Sequence, residues 1–153
     1  AEICAQAARE GDFPSRVDVT DNCFMAPENM IEEIKDYCRR TGQKVPETLG
    51  EIATCVYASL AECYDRTIKG IEKSTGRTYS RIHIVGGGGN AEYLNELTAR
   101  ATKKEVHVGP TEGTAIGNLA AQMIHSGEFK CKEEARQMIY DSFDIKVYEK
   151  EGR

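Results

Sequence analysis

Residues 82–97, IHIVGGGGNAEYLNEL, pass from a short apolar segment through four consecutive glycines, Gly86 to Gly89, into a stretch with helical spacing. Glycine loses more backbone freedom on folding than any other residue, so four in a row need a reason. A tight strand-to-helix turn with positive φ accounts for one or two. Close approach by a ligand accounts for more, because backbone amides and a helix N-terminus meet phosphate or ribose in this setting. Asn90 is placed to cap the helix that follows. Gly86, Gly88 and Ala91 also fit the dinucleotide pattern G-x-G-x-x-A. However, no acidic residue closes the next apolar segment, EVHV, and the nearest carboxylate beyond it is Glu112. No Lys-Ser or Lys-Thr follows the glycines, which excludes a Walker A loop.

On either side of this turn the pattern alternates between strand and helix. RIHIV reads as a strand, Tyr93, Leu94, Leu97 and Ala101 as one helix face, and EVHV as a second strand. GPTEGTAIGNLAAQMI reads as a turn and helix, with Thr111 as its cap and Glu112 in its first turn. Gly113, Ala115 and Gly117 thin one face of that helix, either for packing on the sheet or for another close neighbour. A β-α-β-α order predicts parallel strands joined by right-handed crossovers. Two parallel strands make a poor sheet. Further strands are therefore expected outside this chain, although KEEARQMIY can be helical and FDIKVY alternates like an edge strand.

The first half reads as helical after a loop. GDFPSRVDVTDNCFMAPENM has the Pro, Asp and Asn content of a loop, and Pro27 suits a first helical position. Met30, Ile31, Ile34, Tyr37 and Cys38 then follow helical spacing to a stop at Gly42. Thr48 and Glu51 form a T-x-x-E capping box. From there Leu49, Ile52, Val56, Leu60, Tyr64, Ile68 and Ile71 keep one face apolar as far as Gly76. The short QKVPE link predicts an antiparallel helical hairpin over 27–76, ahead of a β-α-β-α part over 81–125 and a tail over 128–153. Together, 1–153 has the length of one domain.

Bulk properties narrow the function. A net charge of −5 argues against a nucleic-acid partner, and no apolar run is long enough to span a membrane. The six cysteines show no C-x-x-C spacing and no secretory signal precedes them, so a reduced, cytosolic setting is expected. Cys38 and Cys55 fall where the hairpin would bring them together, as buried free thiols. His83, His107 and His125 lack metal-ligand spacing, and His83 and His107 sit within strands, where a structural role is expected. No catalytic constellation is complete. The alternatives left open are a nucleotide-binding enzyme fragment, a dinucleotide-binding oxidoreductase fragment and a helical interaction module.

The segment IHIVGGGGNAEYLNELTARATKKEVHVGPTEGTAIGN resembles the C-terminal domain of the FGGY carbohydrate kinases, and the similarity runs from about Val17 to Ile124. It is carried by the strand and glycine turn, by YLNEL, and by GPTEGTAIGN, in which Gly113 stands where the family has Ala. Asp18, Asp21, Phe24, Pro27 and Met30 add to it. The resemblance implies part of an actin-like, ribonuclease H-like ATPase lobe, with ATP and Mg2+ in a cleft between two lobes. It places Gly86, Gly87 and Gly88 against the adenosine side, with Gly89 and Asn90 beside them and Asn95 on the nucleotide side. The family's Asn after the glycines is displaced by one position here. The implied reaction passes the γ-phosphoryl group of ATP to a sugar. The first phosphate loop, the sugar contacts, most Mg2+ ligands and the proton-accepting aspartate are expected upstream. The chain, which lacks an initiator Met, would then be a C-terminal fragment, inactive alone and prone to non-native self-association.

Overall fold

In a computed structural model, residues 2–149 are described. The chain opens with α1, Glu2–Glu10, followed by a loop and a short 3-10 turn at Asn22–Phe24. Helices α2, Met30–Arg40, and α3, Leu49–Thr75, come next. The second half runs β1 (Arg81–Ile84), α4 (Glu92–Thr102), β2 (Glu105–Val108), α5 (Gly113–His125), α6 (Lys132–Ser142) and β3 (Lys146–Tyr148).

The ends of α3 follow the sequence. Thr48 Oγ1 accepts from the Glu51 N–H at 3.0 Å, and Glu51 Oε2 accepts from the Thr48 N–H at 3.4 Å, closing the capping box. Gly76, at φ 65°, donates its N–H to the Glu72 carbonyl and ends the helix. Helix α2 starts later than Pro27 predicted. Asn29 is its cap, because the Asn29 Oδ1 accepts from two otherwise orphaned amides, those of Ile31 and Glu32, at 3.0 and 3.3 Å.

The expected α2–α3 hairpin is not the dominant packing, since the main helix partners of α3 are α1 and α4. The loop after α1 inserts Phe13 and Val17 between α2 and α3, building a core with Ile34, Cys38, Ile52 and Cys55. Both thiols are free and fully buried side by side, and burial pushes Cys55 up to about 12. The loop is pinned as tightly as a strand. Gln43 Oε1 accepts from the Arg16 N–H and its Nε2 donates to the Arg16 carbonyl, both at 2.8 Å, while the Val17 N–H donates to Ser59 Oγ at 2.9 Å.

The sheet has the order β1-β2-β3. β1 and β2 are parallel, as expected, with Ile82 opposite Val106 and Ile84 opposite Val108. The tail supplies a third strand from the alternating FDIKVY, where further strands had been expected outside the chain instead: β3 joins β2 in antiparallel register, Val106 opposite Tyr148. Two helices, rather than a single crossover, separate β2 from β3, so the chain re-enters the sheet running the opposite way. Ile82, Ile84, Val106, Val108 and Tyr148 share one face with Ala99 of α4 and form a second, smaller core. The last residues of the expected tail, 150–153, lie outside the described ones.

Candidate functional site at the glycine turn

The four glycines divide into two pairs. Gly86 has φ 83°, a left-handed backbone that only glycine adopts without strain, and its N–H approaches the Pro110 carbonyl at 3.4 Å. Gly89 is buried, and a Cβ there would lie 2.5 Å from Val108 Cγ1, so the turn can lie on β2 only because this residue has no side chain. Gly87 and Gly88 meet neither demand. Their φ values are not positive, and no neighbouring atom lies within 4 Å of where a Cβ would sit. Local geometry thus explains two glycines and leaves an open backbone surface at the other two.

The turn is a 3-10 segment over Gly87–Asn90, and two sequence-based caps fail here. Asn90 does not cap α4; the cap position falls to Ala91, with no side-chain bond, because the 3-10 turn uses one more residue. Thr111 likewise does not cap α5, whose cap position is Glu112. Asn95, one turn into α4, is completely buried, and its Nδ2 donates to the Gly89 carbonyl at 2.8 Å. Its Oδ1 is buried with no partner.

Clefts flank the turn on two sides. One, of about 280 Å³, is polar and lined by Gly86, Gly89, Asn90, Glu92, Thr111 and Lys146, among others. Lys146 Nζ is 2.6 Å from Glu92 Oε1, and that bond holds the Glu92 carboxyl below its ordinary value and raises the Lys146 ammonium. This lysine is therefore already neutralised by a carboxylate. The other cleft, of about 320 Å³, is mostly apolar. Tyr64, Thr67 and Ile68 of α3 form one wall and Leu94, Asn95 and Thr98 of α4 another, with Ile82, Ile84 and Gly88 between them. The glycine turn separates the two clefts.

The structure brings Gly86, Gly89 and Asn90 to the polar cleft and Gly88 and Asn95 to the apolar one. Sequence reasoning missed the apolar walls contributed by α3. The signal was present, since the apolar period of that helix continues through Tyr64 and Ile68, beyond the last residue of its closed core. Lys146 had no such signal.

On the other face of the sheet, His107 Nε2 lies 3.2 Å from Glu105 Oε2, and Arg81 Nε donates to the same oxygen at 2.9 Å. The His83 ring stacks 5.2 Å from that of His107, and burial lowers its pKa first, with positive neighbours adding to the effect. Both histidines act as sheet side chains. Among the described residues, no three His, Cys, Asp or Glu side chains converge to hold a metal ion.

The model of the FGGY family of carbohydrate kinases, C-terminal domain, matches residues 3–126, and the chain belongs to that family. The match takes in α1, which the sequence reading did not. Among curated relatives, it is 50% identical over 136 residues to a rhamnulokinase of Halalkalibacterium halodurans, covering 89% of this chain and 29% of that protein. It is 44% identical to a rhamnulokinase of Bacillus subtilis, covering 96% and 30%. A rhamnulokinase of Bacteroides thetaiotaomicron is 37% identical, with the same shares covered. The chain thus spans under a third of the length of these relatives.

Proposed function

We propose that this chain is the nucleotide-side part of a rhamnulokinase-type sugar kinase with an actin-like, two-lobed fold. The observation that carries the reading is the open backbone at Gly87 and Gly88, which local geometry does not require and a nucleotide would use. In this reading Gly86, Gly87 and Gly88 form the adenosine wall, with Gly89 and Asn90 beside it at the polar cleft. The 1-hydroxyl oxygen of L-rhamnulose attacks the γ-phosphorus of ATP. The bond from that phosphorus to the β–γ bridging oxygen breaks, ADP leaves, and the hydroxyl proton passes to a base contributed by the rest of the enzyme. Such transfer depends on positioning and charge stabilisation more than on covalent chemistry. Mg2+ arrives with the triphosphate. Among the described residues no three His, Cys, Asp or Glu side chains converge to hold it, and its ligands are expected in the rest of the enzyme.

The choice of rhamnulose follows the names of the relatives. A kinase of the same family acting on xylulose or glycerol is the second reading. A coupled ADP-release assay on the full-length protein separates them, and rhamnulose is expected to give the highest kcat/KM. Faster turnover of xylulose or glycerol would overturn the substrate assignment, and no ATP-dependent turnover of any sugar would overturn the kinase reading. The isolated chain is expected to transfer no phosphate.

A further inference from the structure

We propose that the free edge of β1 is an intramolecular interface, on which the part of the full-length polypeptide preceding this chain lays a strand, over a groove bounded by α5 and α6. The inference rests on the reading above in one respect, that the chain is the C-terminal part of a longer protein. The carbonyls of Ser80 and Ile84 accept from the Glu105 and Gly109 N–H groups on the β2 side, at 3.2 and 2.9 Å. Backbone groups alternate in direction along a paired strand. Ile82 therefore faces β2 as well, and the N–H and C=O of Arg81 and His83 point the other way. Among the described residues no strand pairs with that edge.

The two edges of the sheet are unlike. β3 is three residues long and carries Lys146, and natural sheets blunt an exposed edge with short strands and lysines. β1 has no such device. From Ile82 to Val85 the chain holds no Lys, Pro or Gly, and β1 is the outer member of a parallel pair, a pairing that proteins normally cover. Beside it lies a groove of about 500 Å³, lined among others by His83, Val85, Ile116 and Gly117 of α5, and Ile139 and Tyr140 of α6. Gly117 sits inside a helix, where glycine lowers stability, yet a Cβ there would meet no atom within 4 Å. No neighbour in this chain accounts for it, and close approach by another segment does. A strand added to β1 would lie about 4.8 Å away, with its alternate side chains entering the groove. An attached segment reaches the edge at an effective concentration on the order of millimolar, which free copies of the chain in dilute solution do not match. Its source is ample, since the chain covers 29% and 30% of two of its relatives.

The test is residue-resolved hydrogen exchange on the full-length wild-type protein, without ligands. The Ile82 and Ile84 amides bond to β2 in either case and serve as internal references. The His83 amide is expected to exchange within about tenfold of Ile84. Exchange of His83 at the rate of an unstructured amide, with Ile82 and Ile84 protected, would overturn the proposal. So would protection of His83 that vanishes on dilution, which would assign the edge to a second copy. Two variants of the full-length protein read the groove. Gly70 of α3 is also a mid-helix glycine with open space at its Cβ, so Gly70→Leu should keep or raise the melting temperature. Gly117→Leu should lower it by several degrees, because the leucine would collide with the arriving segment. A Gly117→Leu protein as stable as Gly70→Leu would overturn the close approach at α5. Exchange does not read turnover, so an open edge would leave the kinase reading standing, and a silent ADP-release assay would leave a paired edge standing.

Discussion

The α1–α3 half closes its core around Phe13, Val17, Ile34, Cys38, Ile52 and Cys55, each less than a tenth exposed. Among the described residues, the sheet half buries Ala99, Val106 and Val108 in its own core, while large apolar side chains are exposed in both halves, Met25 and Leu49 in the first and Val85 and Leu119 in the second. Helix α5, although rich in apolar residues, has no buried residue at all. The contrast is one of arrangement. In the first, a loop fills the space between helices. In the second, a three-stranded sheet with strands of three or four residues offers too little area to cover the helices beside it. The half with the smaller core carries the glycine turn, and α3 of the other half walls one of the two clefts around it.

The contrast can be broken by truncating one residue in each core. Phe13→Ala should cost about 4 kcal/mol and Val106→Ala about 2 kcal/mol in urea unfolding, because the first removes a ring from a closed cluster. Equal costs would show that Val106 is the more tightly packed of the two for its size. A sharper probe compares glycines within the turn itself. Gly89→Ala should cost about 2 kcal/mol by driving a methyl group into Val108, whereas Gly87→Ala should stay within about 0.5 kcal/mol of wild type. If the nucleotide reading holds, Gly87→Ala should nonetheless weaken ATP binding.

The smallest expected effect lies at the joint between the halves. Lys104 Nζ donates to Glu72 Oε1 at 2.7 Å, and the Tyr79 N–H donates to the same oxygen at 2.9 Å. The bond from Lys104, then that from Tyr79, holds the Glu72 carboxyl below its ordinary value of 4.5. A group depressed in the folded state adds stability above its unfolded pKa, and that stability is lost as pH falls through the folded value. Wild type should therefore lose part of its stability on acidification below pH 4.5, and Glu72→Gln should lose less over the same range. Parallel urea midpoints from pH 3 to 7 would check this, and identical slopes would show that the joint carries no titrating contribution.

Sequence made most of α3 legible because both of its ends are written in local chemistry, the Thr48–Glu51 box and Gly76. The strand, glycine turn and helix were legible from periodicity and from the glycine run, although the cap between turn and helix was not. Helix α1 was not. Its nine residues would be marginal alone, and it is held by tertiary contacts, such as Thr54 Oγ1 donating to the Ala7 carbonyl at 3.1 Å, rather than by a broad apolar stripe. The third strand was seen as an alternating pattern, but its partner could not be read, since pairing depends on where α5 and α6 return the chain. Asn90 and Thr111 were misassigned as caps because a one-residue extension of a turn moves the cap position without altering composition. The bond from Asn95 Nδ2 to the Gly89 carbonyl was not legible either, since it depends on how the turn folds back on the first turn of α4.

Helix α3 belongs to both halves. Its first turns are set in the closed core through Ile52 and Cys55, and its later turns, at Tyr64 and Ile68, wall the apolar cleft. Its 27 residues make a rod of about 40 Å, set in that core at one end and tied through Glu72 to Lys104 and Tyr79 at the other. A tilt of about 5° about the core end would shift the other end by about 3 Å against that tie, and the cleft partway along it by less. The width of the cleft is thus mechanically tied to the seating of a helix in a core far from it.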